Sequence, residues 1–321
     1  MSLWNALRGR PVLAVAVGLA ALWTSAGADG PPPGSLVIID SAGKEHKIKG
    51  WKFALGTRRL TWLAAADKAP APPDKKDDKA APKGARVLPG PEALEFRDDK
   101  STNWQEGVVT LVPIERLRAI DYEAEKQLVT IKVAISDKPE DDQALTGTTR
   151  FKGTNKITIE AEVDRGDMGI AEVKFLGGQP GGVKAIRFPA PKAAAAATGR
   201  SAAVTVTDKM GKNTQNAIDL QALYRMADGT ERLLPTLMFK KTFKVELAKV
   251  LKITIQPGGK PDEAEWTLKL KDGEEQTLTL LKTIMIDDKP ATLEGLLGKV
   301  PAGYKLFPPH AIAEIAFEAE K

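Results

Sequence analysis

The residue types that most often carry chemistry are scarce in this chain. Its 321 residues include no cysteine and only 2 histidines, His46 and His310. The lack of cysteine excludes disulfides, thiolate metal sites and a cysteine nucleophile. Two histidines fall short of the nitrogen and sulfur ligands that a zinc site usually needs. The sequence therefore predicts no metal site and no cofactor, and His310, in a Pro-Pro-His-Ala turn, is predicted to lie at the surface.

Carboxylates are plentiful, but no pair of them stands out. Adjacent aspartates occur at 98–99, 141–142 and 287–288, each in a turn-like context that is typical of solvated loops. The chain has no Gly-x-Ser-x-Gly elbow and no Gly-x-x-x-x-Gly-Lys-Ser/Thr loop. These observations predict no catalytic residue and a protein that is not an enzyme. A carboxylate pair could still serve hydrolysis, so a hydrolase acting on envelope polysaccharide is the alternative.

Basic residues form the one candidate binding patch. Lysines cluster between residues 240 and 252, and two arginines stand side by side earlier in the chain. The set is Arg58, Arg59, Lys240, Lys241, Lys244, Lys249 and Lys252. Together these side chains could bind an acidic polymer of the cell envelope. The alternative is an ordinary solvated face, which is what a run of charge usually marks.

The first 28 residues predict export. Arg8 and Arg10 precede an apolar run of 13 residues, Pro11 to Trp23, and the small residues Ala-Gly-Ala follow at 26–28. This order is typical of a secretory signal peptide with its cleavage site. An uncleaved anchor is the alternative, but the apolar run is shorter than the roughly 20 residues that span a bilayer. We therefore expect a periplasmic or extracellular protein that begins at residue 29 and has no later transmembrane segment.

The net charge of the chain is mild. The whole chain carries +5, and the predicted signal peptide holds two arginines and no acid, so the remainder carries 5 − 2 = +3. So small a charge does not indicate a nucleic-acid-binding protein. The partners that we expect instead are an envelope protein or an acidic polymer.

Most of the remaining sequence predicts short strands. KITIEAEVD, which begins at Lys156, alternates apolar and polar residues with the period of two that marks a half-buried strand. Residues 64–90 are rich in Ala, Pro, Lys and Asp and are predicted to be a disordered insertion. Helical patterns are scarce, and the two best candidates are short pieces at 219–226 and 293–297.

Three segments share one apolar pattern. TLVPIERLRAIDY begins at Thr110, FKVELAKVLKITI at Phe243 and KLFPPHAIAEIAF at Lys305. In each, apolar residues recur at steps of three, and the last step, which follows an isoleucine, is two. Steps of three suit one turn of 3₁₀-helix, and a step of two suits a strand. Each segment therefore predicts a strand end, a single helical turn and a closing strand.

These segments carry a resemblance to known modules. They resemble the ends of SH3-like or Sm-like small β-barrel modules, in which a single 3₁₀ turn precedes the last strand. The export signal, followed by Ala/Pro/Lys-rich inserts and such modules, also resembles uncharacterised exported proteins of planctomycete-type bacteria. The first resemblance implies small barrels. The second supplies no activity, and it suggests only that the family itself is unassigned.

The sequence therefore predicts an all-β fold of tandem small SH3-like barrels or β-meander modules. The expected order is a signal peptide at 1–28, a module at 29–135 that contains the disordered insertion 64–90, a small β element at 147–188, a linker at 189–200, and modules at 201–256 and 264–321. The element at 147–188 could be a degenerate fourth copy. Small barrels offer sheet edges and open faces to peptides, proteins and polymers. The expected function is thus an exported, non-enzymatic binding or scaffold protein of the cell envelope.

Overall fold

The structure is a computed structural model, and it describes residues 35–66, 91–97, 107–150, 154–189, 191–192, 203–209, 211, 214–239, 243–257 and 264–318. The predicted signal peptide, the insertion from residue 67 onward, Lys240, Lys241 and most of the predicted linker lie outside these residues. Among the described residues, no helix has the length and apolar character needed to cross a membrane.

The all-β prediction is confirmed, because strands dominate the described chain. We call residues 35–189 the first half and residues 203–318 the second half. The strands of the first half are β1 (Leu36–Asp40), β2 (Glu45–Ile48), β3 (Trp51–Leu55), β4 (Thr57–Arg59), β5 (Glu92–Phe96), β6 (Val109–Pro113), β7 (Leu117–Glu123), β8 (Leu128–Val133), β9 (Gln143–Thr148), β10 (Thr158–Asp164), β11 (Ile170–Leu176) and β12 (Val183–Arg187).

The second half also consists mainly of strands. Its strands are β13 (Ala203–Asp208), β14 (Thr214–Met226), β15 (Glu231–Leu234), β16 (Thr236–Phe239), β17 (Phe243–Glu246), β18 (Val250–Pro257), β19 (Ala264–Leu270), β20 (Glu275–Thr279), β21 (Thr283–Ile286), β22 (Lys289–Val300), β23 (Gly303–Phe307) and β24 (Ile312–Phe317). Within the described residues, helical structure is limited to α1 (Thr61–Ala66) and short 3₁₀ turns at Ile114–Arg116, Pro139–Asp141, Gly166–Met168, Leu247–Lys249 and Pro309–Ala311.

The described strands form four open sheets. The orders are β2-β1-β12-β7-β8-β9 in the first sheet and β11-β10-β3 in the second. The third runs β20-β19-β18-β24-β13-β14-β22-β23-β6-β5-β4, with β15 beside β14 and β21 beside β22, and β16 and β17 form the fourth. Within the described chain no sheet closes on itself, so the small barrels that the sequence predicts are not closed barrels.

The same pairing order occurs in both halves. Read from β14, the second half gives β14-β13-β24-β18-β19-β20, which matches β2-β1-β12-β7-β8-β9 strand for strand. The match extends to details of register. β1 and β13, which are the first strands of the two halves along the chain, each have a bulge immediately before an aspartate, Asp40 in β1 and Asp208 in β13. Ile186 of β12 lies opposite Ile120 of β7, as Ile315 of β24 lies opposite Ile253 of β18.

The three segments with the shared apolar pattern have a common local structure. Each is a strand, a 3₁₀ turn and a second strand: β6 and β7 around Ile114–Arg116, β17 and β18 around Leu247–Lys249, and β23 and β24 around Pro309–Ala311. Pro113 and Pro308 directly precede their turns, where the fixed φ of proline fits. The local prediction of strand, turn and strand therefore agrees with the structure.

The two predicted helical pieces are strands, so that prediction was wrong. Residues 219–226 belong to β14 and residues 293–297 to β22, and these two strands pair with each other. The register shifts around Asp219, which has a positive φ of 53°. This irregularity leaves Ala217 and Leu220, three residues apart, both buried, so a bulged strand imitates the spacing of a helix.

In the part of the chain that the structure describes, three apolar cores hold the sheets together. One lies mainly in the second half, around Trp266 and Tyr224, and one lies mainly in the first half, around Trp51 and Ile120. The third joins the two halves, where Leu60, Trp62, Ala93, Val109 and Leu111 pack with Leu223, Leu297 and Leu306. Pairing of β6 with β23 crosses the same junction. The junction is thus both hydrogen-bonded and apolar.

Candidate binding surface

The predicted basic patch is divided by the fold. Arg58 and Arg59 are neighbours on β4, but Arg58 turns inward and Arg59 is exposed. Lys244 lies on β17, while Lys249 lies in the 3₁₀ turn that follows. Lys252 lies further along, on β18. Lys240 and Lys241 lie outside the described residues.

Arg58 belongs to an ion-pair cluster that links the two halves. Its guanidinium group donates to Glu231 of β15, with Nε 2.9 Å from Oε1, and also to Glu294 of β22. Arg225 of β14 completes the cluster at 2.5 Å from Glu294 and 3.6 Å from Glu231. The side chain of Glu231 is only 3% exposed and that of Arg58 only 13%. Arg58 therefore links the two halves by ion pairs, and it offers little exposed surface to a ligand.

The electrostatics of this cluster follow from burial and pairing. Burial raises the pKa of Glu231, although the positive charge of Arg58 opposes the shift. Burial also acts to lower the pKa of Arg58, but hydrogen bonds and charge from Glu294 and Glu231 outweigh it and raise that pKa. The backbone N–H of Glu231 donates to Thr61 Oγ1 at 3.1 Å, which fixes the start of β15. The cluster is held from several directions.

The remaining lysines of the patch stand among acids. Lys249 is 3.3 Å from Glu246, and Lys252 is 2.8 Å from Glu314. Lys269 of β19 lies opposite Lys252, which adds a positive charge to this face. The face is therefore a mixture of both signs. Exposed pairs of this kind contribute little binding or stability individually.

Neither histidine lies in a group of metal ligands. His46 Nε2 is 3.0 Å from Asp40 Oδ2, and the hydrogen bond with His46 is the main reason that the pKa of Asp40 is lowered. The other oxygen of Asp40 accepts the N–H groups of Ala42 and Lys44, so the carboxylate closes the β1–β2 turn. His310 is exposed in its 3₁₀ turn. Within the described ranges no three His, Cys, Asp or Glu side chains are grouped as metal ligands.

The adjacent aspartates that the structure describes lie in or beside short turns. Asp141 accepts a hydrogen bond from Ser136 Oγ at 2.7 Å, and Asp142 pairs with Arg118. Asp287 and Asp288 both have positive φ, 50° and 58°, in the turn between β21 and β22. The pair at 98–99 lies outside the described residues. A small cavity, lined mainly by apolar side chains such as Phe96 and Ile131, measures about 10 Å³, which leaves room for no more than one water.

One open sheet edge lies in the three-stranded sheet. Among the described strands β11 pairs only with β10, so its other edge has no strand beside it. Gly177 N–H donates to Ile157 C=O at 2.9 Å, which fixes the hydrogen-bonding phase of this antiparallel pair. Because hydrogen-bonded pairs alternate, the N–H and C=O groups of Glu172 and Lys174 point away from β10. The edge therefore presents backbone donors and acceptors to a partner.

Exposed apolar side chains surround this edge. Ile170, the first residue of β11, is 73% exposed, and Met168, the last residue of the 3₁₀ turn just before it, is 79% exposed. At the other end of β11, Leu176 and Leu55 of β3 are exposed on either side of Thr158. Four large apolar side chains are thus exposed on or beside one small sheet, and exposed apolar side chains gathered in this way are found at interaction sites.

A charged group separates the two apolar ends. Glu160 lies between Lys52, at 3.0 Å, and Lys174, at 2.7 Å, and hydrogen bonds from Lys174 and Lys52 lower the pKa of Glu160. The opposite side of the sheet is apolar, because Phe53, Ile159 and Phe175 share it and are buried. The outward side is therefore solvated at its centre and apolar at its ends.

The predicted binding patch does not include this edge, although the sequence of β11 carries a signal for it. In IAEVKFL the residues at odd places are Ile170, Glu172, Lys174 and Leu176, so the polar side of the strand begins and ends with a large apolar residue. Such a pattern indicates more than an ordinary solvated face. That β11 lies at an edge depends on pairings that the sequence does not show.

No protein-family model, curated protein or solved structure matches this chain.

Proposed function

We propose that the protein is an exported, non-enzymatic scaffold protein of the cell envelope that binds an extended protein segment along β11. The single observation that carries the proposal is the open edge of this strand, with its outward backbone groups at Glu172 and Lys174. An extended segment can pair with such an edge, and its alternate side chains then supply specificity.

The surroundings of the edge support a protein partner over a charged polymer. Ile170 and Leu176 lie on the outward side of β11 and could receive apolar side chains of an added strand. The lysines that the sequence assigned to an acidic polymer have acids close by, Glu246 at Lys249 and Glu314 at Lys252. Mixed charge of this kind does not favour a polyanion.

Two further parts of the proposal rest on the sequence. The basic, apolar and small-residue order of the first 28 residues supports export to the periplasm or beyond. The strand, 3₁₀ turn and strand segments support open modules of SH3-like or β-meander type. A scaffold of this kind would present several edges and loops from one rigid body.

The test is capture of envelope proteins on immobilised residues 29–321. The edge variant is Glu172→Pro, which removes one outward N–H and leaves the hydrogen bonds to β10 in place. The control is Lys249→Glu, which reverses a charge in the predicted basic patch. We expect one envelope protein to be retained at high salt by the wild type and the control, and lost with the edge variant. Retention by the edge variant, or binding only of acidic polymer at low salt, would overturn the proposal.

A further inference from the structure

The two halves contain corresponding strands, but the edge of one is paired with a further strand and the edge of its counterpart is not. β11 and β23 are each the second strand of a hairpin, paired with β10 and β22. β6 and β17 each lead into a 3₁₀ turn, and the strands after those turns, β7 and β18, hold equivalent places in the matching sheet orders. Thus β11 corresponds to β23, and β17 corresponds to β6.

In the second half the hairpin edge is covered by the first half. β6 pairs with β23 in antiparallel register, with Leu111 opposite Tyr304 and Thr110 opposite Lys305. The corresponding edges are both open: within the described chain, β11 pairs only with β10, and β17 pairs only with β16. Within the described chain, one molecule therefore carries a strand, β17, and a sheet edge, on β11, that do not pair with each other.

The register that β17 and β11 would adopt follows from the register of their counterparts, β6 and β23. Leu111 and Lys244 each lie three residues before the start of their 3₁₀ turns. Tyr304 and Glu172 each lie three residues before a buried phenylalanine, Phe307 or Phe175, that faces the first strand of the hairpin. Replacing each residue by its counterpart places Lys244 opposite Glu172.

We propose that β17 of one copy pairs with β11 of a second copy in the way that β6 pairs with β23 within the chain. The partner of the edge described above is then this protein itself, and the inference rests on the proposed scaffold function. The neighbouring pair in the same register is Val173 opposite Phe243, two apolar residues that would meet on one side of the new sheet.

The chemistry of the two edges is complementary. Leu247 N–H donates to Pro235 C=O at 2.9 Å, so alternation directs the backbone groups of Lys244 away from β16. Lys244 and Glu172 therefore meet as a pair that exchanges backbone hydrogen bonds. Their side chains have opposite charge, whereas the pair inside the chain, Leu111 and Tyr304, is largely apolar. An opposite charge pair suits an interface that forms between soluble copies, because it keeps each free edge hydrated.

This contact joins different surfaces on the two copies. A heterologous contact extends into a ring or an open filament, depending on the rotation between neighbours. A ring has a fixed number of copies, whereas a filament keeps a free β17 at one end and a free β11 at the other and so has no fixed length. In both cases the scaffold is an assembly of this chain alone, and it needs no second component.

A charge-reversal experiment tests the proposal. Sedimentation velocity is measured on residues 29–321 over a concentration series, at low and high salt. The variants are Glu172→Lys, Lys244→Glu and the double exchange, and Lys269→Glu, an exposed lysine on β19, is the control. We expect wild type and control to associate with rising concentration. Each single variant should raise the protein concentration at which the copies associate by roughly tenfold. The double exchange should return that concentration to the wild-type value.

Three results would overturn the inference. They are a monomer at every concentration, single variants that associate like the wild type, and a double exchange that fails to restore association. Glu172→Pro serves as a second test, because it blocks the edge without altering charge on β17. If the protein stays monomeric but captures a different envelope protein through β11, self-assembly is refuted and the proposed scaffold function stands.

Discussion

Removal of Arg58 should destabilise the protein far more than removal of its neighbour Arg59. The Arg58→Ala variant leaves the carboxylate of Glu231, whose side chain is 3% exposed, with Arg225 at 3.6 Å as the nearest cation of the cluster. Breaking a buried pair by removing one partner costs about 3–5 kcal/mol. Because Arg225 still pairs with Glu294 at 2.5 Å, we expect the lower end, about 3 kcal/mol. Arg59→Ala, at an exposed position, should change stability by less than about 0.5 kcal/mol.

The assay is urea unfolding followed by tryptophan fluorescence and far-ultraviolet circular dichroism. A loss of about 3 kcal/mol should lower the midpoint and leave the m-value unchanged if the chain unfolds in one step. The cluster joins β4 of the first half to β15 and β22 of the second, so two separate transitions in Arg58→Ala would mean that the halves had uncoupled. Equal and small effects of the two alanine variants would refute the assigned role of Arg58.

Two further predictions concern alkaline stability and close packing. Burial raises the pKa of each of the chain's 3 tyrosines, Tyr122, Tyr224 and Tyr304, with Tyr224 at about 12. Since an unfolded tyrosine titrates near 10, the folded state binds more protons above that pH. Stability should therefore be intact below pH ~10 and fall as pH rises, with tyrosinate absorbance appearing together with unfolding; tyrosinate formed in the folded chain near pH ~10 would contradict this. Gly295→Ala should cost about 2 kcal/mol, because its Cβ would lie 2.6 Å from the backbone oxygen of Phe307, whereas at Gly50 the nearest atom is 3.8 Å away and Gly50→Ala should cost almost nothing. Equal unfolding midpoints for the two alanine variants would show that the strands can separate locally.

Local features of the fold were predictable from the sequence. Period-two alternation in KITIEAEVD indicated a strand, and residues 158–164 form β10. Steps of three before a step of two indicated a 3₁₀ turn ahead of a strand, and such turns lie at Ile114–Arg116, Leu247–Lys249 and Pro309–Ala311. These patterns depend on backbone geometry within a few residues, so the sequence records them directly.

Features that depend on distant pairing were not predictable. Arg58 and Arg59 look alike in the sequence, and the three residues of β4 are too few to show which side faces inward. Their difference arises from Glu231, which lies 173 residues further along the chain. The bulge at Asp219 likewise gave the buried residues of a strand the spacing that is typical of a helix.

The candidate edge illustrates the same limit. Its strand was recognisable, but its openness depends on which strands lie beside it. β23 holds the corresponding place and is covered by β6, although nothing within either strand requires the difference. Exposed Ile170 and Leu176 on the polar side of β11 were a local sign that this face differs from an ordinary solvated one. Pairing between the two halves decides which edge is free, and the pattern within a single strand does not encode that pairing.

Hydrogen exchange at β11 tests the central claim most directly. In the free protein at low concentration, the amides of Glu172 and Lys174 should exchange rapidly, while those of Ala171 and Val173, directed at β10, exchange slowly. In the complex captured from the envelope, or in the concentrated protein, the two outward amides should become protected. Outward amides that keep exchanging rapidly while binding protects another surface would contradict the account.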